Sequence, residues 1–335
     1  MYTLLCIFFV LTGTLTGCSK PEPTQAEFVL GTVCTITLYD AGKPKVYRAI
    51  FDRLVEIEKR MSVGMEGTDV YRVNEAAGIE AVVVHPTVFE VIERAVDFAK
   101  LSGGAFDPTV GPLVSLWGIG KDNPRLPEQA EIDAALPLIN WRDIDLDREK
   151  STVFLKRPGM ALDLGAIAKG YAADEAAAII KKAKVPRAII DLGGNILVYG
   201  EKPDGTPWRV GIQNPLETRG AYIGIVEARE KTVVTSGVYE RYFESDGVRY
   251  HHILSPALGY PVQNGLLSVT IIASRSIDAD ALSTSVFALG YKEGRALIDS
   301  LEDVAGIFVF DDLSIRLTKG ASFRLTDDKY QIVSD

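Results

Sequence analysis

Between residues 208 and 273 six short apolar runs follow one another: "WRVGIQNP", "YIGIVEA", "TVVTSG", "YERYFE", "VRYHHIL" and "LLSVTIIA". Each is rich in Val, Ile, Tyr or Phe and is bounded by turn-forming or charged residues, the pattern of strands joined by turns. "GIFVF" and "SIRLT" continue the series toward the C-terminus. No helical pattern falls between the six, so they do not form a βαβ array, in which each parallel crossover carries a helix. The helical patterns lie elsewhere. "KPKVYRAIFDRLVEIEKRMS" sets Val46, Ile50, Leu54, Ile57 and Met61 on one face, and His85-Pro86 opens a second helix through Phe98. "MALDLGAIAKGYAADEAAAIIKKAK" reads as strand, turn and helix, with Asp174 and Glu175 early and Lys181, Lys182 and Lys184 late, as the helix dipole favours. "VGMEGTDVYRVNEAAG" reads as a loop, and "AFDPTVGPLVSLWGIG" is too rich in Gly and Pro for a long regular element. The expectation is an α+β fold: mixed, largely antiparallel sheets with packed helices.

The two ends differ in kind. Residues 2–17, "YTLLCIFFVLTGTLTG", are apolar, too short to span a bilayer comfortably, and end in small residues, which reads as a secretory signal over residues 1–17. "LTGC" has the form of a bacterial lipobox, so cleavage before Cys18 and lipidation of its sulfur would leave residues 18–27 as a polar tether and residues 28–335 as one domain. That places the domain outside the cytoplasm, on the periplasmic side, with the inner membrane favoured. Of three cysteines only Cys34 then remains in the domain, within "VCTITLY", and no intramolecular disulfide is possible. The charge balance of 36 basic to 45 acidic residues, −9 net, with no basic stripe, argues against nucleic acid as a partner. An anionic small molecule would need a bridging cation or a few well-placed donors.

Four clusters could carry chemistry. In "AFDPTVGP", Asp107 either caps its own turn or joins free loop amides in offering contacts to a ligand. In "DLGAIAKG", small residues and Lys169 sit near a helix start, where peptide N–H groups and an ammonium can meet phosphate, although the spacing is neither a Walker nor a dinucleotide motif. In "YHHILSPALGYP", two of the chain's three histidines are adjacent; on a strand they point to opposite faces, one free to be structural while the other faces a cleft, and they cannot chelate one ion together. Finally "IDADALSTSVFALG" is a helix whose Leu282, Val286 and Leu289 face a core, while Asp280 and Thr284 share the other stripe. A solvated face would explain that pair; so would a hard cation such as Mg²⁺.

Taken in order along the chain, "VLGT", "RMS…VN", "GGAFDPTVGPL", "LDLGAIAKGYAAD", "LGGN", "WRVGI", "TSGVYERYF", "HHILSPALGYP" and "DADALSTSVFALG" resemble the FAD:protein FMN transferases, the ApbE flavin transferases formerly described as thiamine-biosynthesis lipoproteins. The resemblance runs from about residue 28 to residue 310 and implies an ApbE-like fold of two interlocked lobes. It implies that Asp280, Thr284 and the backbone carbonyl of Ala166 hold Mg²⁺. It further implies that Leu30, Ala105, Phe106, Asp107, Asp163, Lys169, Ile253 and Leu254 contact FAD, and that His252 is the general base. The implied reaction moves FMN from FAD to a threonine hydroxyl of an acceptor flavoprotein and releases AMP. Two positions depart from the family pattern: Gly64 stands where an aromatic residue commonly stacks on the flavin, and Ser255 replaces the usual Asp or Asn before Pro256. These departures give weight to an FAD pyrophosphatase using the same site; a flavin-binding lipoprotein without chemistry is a further alternative, although Gly64 speaks against a tight storage site.

Overall fold

The computed structural model describes residues 23–40 and 43–334. The signal peptide expected at residues 1–17, the lipidation site Cys18 and the first part of the tether lie outside the described residues.

Strands β1 (Thr24–Val29) and β2 (Thr32–Tyr39) form a hairpin closed by Leu30 and Gly31, both with positive φ. A two-residue turn of that hand matches the twist of the strands it joins. β1 therefore begins inside the stretch read as tether, because Thr24, Gln25 and Ala26 pair with Thr37, Ile36 and Thr35. Helix α1 (Pro44–Met61) buries Val46, Ile50, Leu54, Ile57 and Met61 as their spacing predicts. The segment expected to be a loop contains a short helix, α2 (Asp69–Glu75), because the Thr68 hydroxyl accepts the Tyr71 N–H and caps it. After β3 (Val82–Val83), helix α3 (Pro86–Leu101) opens with proline in its first turn. Two short helices, α4 (Gly111–Trp117) and α5 (Gln129–Ala135), lead to β4 (Ile144–Asp147) and β5 (Thr152–Leu155).

Helix α6 (Ala168–Lys182) is not preceded by the expected strand: residues 160–163 make one isolated bridge, Ala161 to Val110, and then a turn. Strands β6 (Arg187–Leu192) and β7 (Asn195–Tyr199) flank the Gly-Gly turn, followed by β8 (Trp208–Gln213), β9 (Tyr222–Ala228) and β10 (Thr232–Gly237). A small hairpin, β11 (Tyr242–Ser245) with β12 (Val248–His251), precedes β13 (Leu266–Ala273). Helices α7 (Ser276–Leu289) and α8 (Tyr291–Asp299) come next, then β14 (Ala305–Phe310), β15 (Ser314–Leu317), β16 (Phe323–Leu325) and β17 (Gln331–Ile332). The last two strands carry too few apolar residues to have been legible in the sequence.

A nine-stranded sheet in the order β1-β2-β6-β7-β10-β13-β14-β15-β17 organises the molecule, antiparallel throughout except where β15 meets β17. The fold is therefore the α+β arrangement expected from the clustered strands. One face of the sheet packs on α1, α3, α6 and α7 around Ile36, Leu54, Ile92, Ala176 and Val286. On the other face the small sheet β16-β9-β8 closes a second core around Trp208, Val226 and Ile307. A third, smaller cluster of Leu113, Trp117, Ile132 and Leu254 gathers α4, α5 and the segment after β12 into a satellite lobe. Cys34 is fully buried in the middle of β2. Among the described residues no helix is long and apolar enough to cross a membrane.

Candidate active site

The helix that raises the question of Asp280 and Thr284 is not a surface helix. α7 is buried on nearly every side, and Asp280 is only 5% exposed. A buried carboxylate needs partners, and the crossing of α7 with α6 supplies them. Gly170 sits at that crossing: a Cβ there would lie 2.2 Å from the Ser276 carbonyl oxygen and 2.7 Å from the Asp280 Cβ. Glycine alone permits this approach. The helices then cap one another. Asp280 Oδ2 accepts the Gly170 N–H at 2.9 Å, in the first turn of α6. From α6, Asp174 accepts the Ser276 and Ile277 N–H groups that open α7, at 2.8 and 3.0 Å. Each carboxylate meets otherwise unpaired donors at the positive end of the other helix's dipole. Its place in the sequence makes Asp174 a dipole partner of its own helix; the structure puts its carboxylate on the neighbour.

Reciprocal capping has a chemical by-product. In an uninterrupted helix the Gly170 N–H would bond to the Ala166 carbonyl four residues back. Here it goes to Asp280, and among the described residues no donor reaches the Ala166 oxygen. The flanking carbonyls are engaged: Leu164 accepts from Ile167 and Ala168, Gly165 from the Lys169 ammonium at 3.2 Å, and Ile167 from Tyr171. Asp280 Oδ1, the second carboxylate oxygen, lies 4.0 Å from Lys169 Nζ. One turn along α7, Thr284 Oγ1 is 3.4 Å from Ser236 Oγ, itself bonded to Ser283 at 2.8 Å. An orphan carbonyl, a spare carboxylate oxygen and a half-buried hydroxyl are hard oxygen donors that fit a small divalent cation which keeps several other positions open. Among the described residues no cluster of three or more His, Cys, Asp or Glu could hold an ion. A mixed donor set of this kind is the available one.

The remaining sequence candidates are placed in different ways. Asp163 closes its own turn, Oδ1 accepting from Gly165 at 2.7 Å, and its N–H bonds to Pro108. That bond and Gly111 N–H to the Ala161 carbonyl zip the loops at residues 105–111 and 161–165 together. The loop amides expected to be free are not. Ala105 and Phe106 donate to the Ser102 carbonyl and hydroxyl, because two positive-φ glycines fold the chain back on Ser102. Asp107 is buried with both oxygens engaged, Oδ1 by the Thr109 amide and hydroxyl and Oδ2 by the Trp141 N–H. Burial raises its pKa against the pull of those bonds. Asn74, at the end of the "RMS…VN" motif, was missed as a candidate: its amide clamps the Leu162 backbone in both directions, at 2.7 and 3.0 Å.

The two histidines differ in burial, although the expected strand ends at His251 and does not include His252. His251 is buried, its Nε2 2.8 Å from the Val262 carbonyl while Nδ1 accepts from Ile253. It is the structural one. His252, just past β12, is half-buried, and its backbone N–H and Nδ1 both meet the Arg241 carbonyl, at 3.1 and 3.3 Å. A carbonyl only accepts, so Nδ1 carries the proton and Nε2 keeps its lone pair. Desolvation first, then the charges of Arg241 and Lys169, hold His252 well below the usual imidazole range. Ile253 packs in the main core and Leu254 in the satellite cluster, joining the two. Ser255 still does a capping residue's work, its Oγ accepting from Leu258 at 3.2 Å. Leu30 holds φ +57 in the hairpin turn, a conformation that bulky residues seldom adopt. Gly64 is exposed, with open space around it: a Cβ there would meet nothing within 4 Å.

The model of the ApbE family matches residues 30–308. The chain belongs to the ApbE family. Among relatives of the ApbE chain, proteins named FAD:protein FMN transferase from Treponema pallidum and Klebsiella pneumoniae are each 38% identical to it. The first alignment covers 89% of this chain and 87% of that protein, the second 92% and 96%. Solved ApbE structures share the fold. The ApbE protein of Thermotoga maritima superposes with a TM-score of 0.78 at 33% identity, over 91% of this chain and 97% of that one. The flavin transferase ApbE of Vibrio cholerae does so with a TM-score of 0.77 at 26% identity, over 90% and 96%.

Proposed function

We propose that this chain is an FAD:protein FMN transferase, moving FMN from FAD to a threonine hydroxyl of an acceptor flavoprotein and releasing AMP. The observation that carries the reading is the orphan Ala166 carbonyl at the start of a helix, left unbonded because Asp280 takes the Gly170 N–H, with Lys169 4.0 Å from the spare Asp280 oxygen. Asp280 Oδ1, Thr284 Oγ1 and the Ala166 oxygen would hold Mg²⁺, whose charge would neutralise the pyrophosphate and steady AMP as leaving group. The protein's own groups do the rest. Lys169, anchored to Gly165, faces the phosphates from the helix start. His252, neutral at physiological pH and with Nε2 bare, takes the proton of the threonine hydroxyl as its oxygen bonds to the FMN-side phosphorus. The bridging P–O bond breaks and its electron pair leaves with AMP. In the cell the domain would be tethered through Cys18 on the periplasmic side of the inner membrane.

Hydrolysis of FAD to FMN and AMP is the second reading, favoured by the open space at Gly64, which supplies no aromatic side chain of its own. One experiment separates the two. The domain is incubated with FAD, Mg²⁺ and a threonine-bearing acceptor domain, and the acceptor is weighed by mass spectrometry. An FMN adduct supports transfer, free FMN and AMP without adduct support hydrolysis, and intact FAD overturns both.

A further inference from the structure

We infer that Arg241 is a second, protein-supplied cation for the reacting phosphate: its guanidinium binds the FMN-side phosphoryl oxygens and stabilises the charge they gain in the transition state. The inference rests on the proposed reaction and goes beyond the residues assigned to it above.

Three observations place this side chain. First, Arg241 and His252 leave the backbone together, since the Arg241 carbonyl receives both the His252 N–H and its Nδ1. The exposed Arg241 side chain thus starts from the backbone position that holds the base. Second, two separate turns make room for it. A Cβ on Gly120 would lie 2.9 Å from Arg241 Cδ, and one on Gly31 would lie 3.7 Å from Nη2. Both glycines have positive φ, at the tips of their turns, so the stem passes one turn and the fork ends over the Leu30–Gly31 turn of the first hairpin. Third, the cation has no counter-charge. Neighbouring Glu240 faces Arg219 at 4.0 Å, and among the described residues no carboxylate pairs with Arg241, in a chain that carries nine more acidic than basic residues.

An arginine held over a turn next to a base and left unpaired offers a planar fork to an anion, and its geometry matches two non-bridging phosphate oxygens. Asp280, Thr284, Ala166 and Lys169 approach the pyrophosphate from the α6–α7 crossing. Arg241 approaches from the arm that carries the base. As the threonine (or water) oxygen bonds to phosphorus and the bridging bond breaks toward AMP, the proton goes to His252 and negative charge spreads over the equatorial oxygens. That charge is where the guanidinium sits.

The test uses Arg241→Ala and Arg241→Lys in the full soluble domain, assayed for both FMN transfer and FAD hydrolysis with Mg²⁺, with and without added guanidinium chloride at sub-denaturing concentration. Removal of one preorganised donor predicts a kcat loss on the order of 10²–10³-fold in both reactions for Arg241→Ala. KM for FAD should stay within about threefold, since the interaction is gained in the transition state. Guanidinium should restore part of the Arg241→Ala activity, and the flexible ammonium of Arg241→Lys only a little. Loss of transfer with hydrolysis intact would make Arg241 an acceptor-docking residue and overturn the inference. So would a raised KM at unchanged kcat, or a kcat loss that guanidinium does not rescue. A wild-type domain that leaves FAD intact sinks the proposed reaction itself, which distinguishes that failure from failure at Arg241.

Discussion

The α6–α7 crossing and the His252 arm are built on opposite terms. The crossing is core: two buried helices in backbone contact at Gly170, each capped by the other's aspartate. The arm is periphery: a hairpin of two four-residue strands, a short loop pinned by His251 to Val262, and a small aromatic cluster. Trp117 lies 5.5 Å from Tyr250 and 5.6 Å from Tyr260, and its Nε1 donates to the Gly259 carbonyl. The difference separates two requirements. The proposed cation seat must be preorganised, because its donors cannot rearrange cheaply. The proposed base would have to admit an acceptor protein, and a small peripheral hairpin opens at lower cost than a buried helix crossing.

The comparison breaks most sharply at Asp280. Asn at that position can still accept the Gly170 N–H, so the fold should survive while Mg²⁺-dependent turnover falls. A loss on the order of 10²–10³-fold is expected, read as kcat across a Mg²⁺ titration. An Asp280→Asn enzyme with wild-type magnesium response would remove the seat from the crossing. Gly170→Ala forces backbone apart and should cost about 3 kcal/mol in urea unfolding, since no flexible side-chain end can yield. On the arm, Trp117→Phe leaves the Gly259 carbonyl unpaired and should cost about 2 kcal/mol. The increase should appear as faster amide exchange across residues 242–261, with α6 and α7 unchanged. Uniform acceleration everywhere would show that the two regions open as one unit.

The pH dependence sharpens the same contrast. His251 and His252 are both held below the ordinary imidazole value by burial, so the folded state binds fewer protons than the unfolded chain below pH 6.5. Stability should therefore fall as pH drops through 6.5, seen as a lower urea midpoint at pH 5 than at pH 7. Turnover has the opposite expectation: with the base still neutral, kcat/KM should show no acid limb near 6.5. The smallest expected effect is at Gly64. Tyr there meets no obstruction and should tighten FAD by about 1 kcal/mol through ring stacking, measured by titration calorimetry.

How much of this was legible in the sequence depended on range. The α1 stripe, the Gly-Gly hairpin and the clustered strands are local patterns, and each appears where its periodicity put it. The adjacent histidines differ in burial as expected, although His252 lies just past the end of β12 rather than on it. What a linear pattern does not hold is a contact between distant residues. Asp174 and Asp280 are 106 positions apart by number, and nothing in either neighbourhood announces that each caps the other's helix. The expected strand at residues 160–164 failed for a related reason. Its backbone is taken up by Asn74, Pro108 and Gly111 rather than by a sheet neighbour.

The thiol of Cys34 offers a use that its chemistry alone does not suggest. Burial pushes it up to about 12, so the folded protein presents almost no thiolate and should ignore alkylating reagents. Among the described residues it is the lone cysteine, and it lies within the main core on β2. Labelling of that sulfur can therefore proceed only as fast as the central sheet comes apart. The molecule carries its own stopwatch for global opening, against which the quicker breathing of the base-bearing arm can be timed in the same sample.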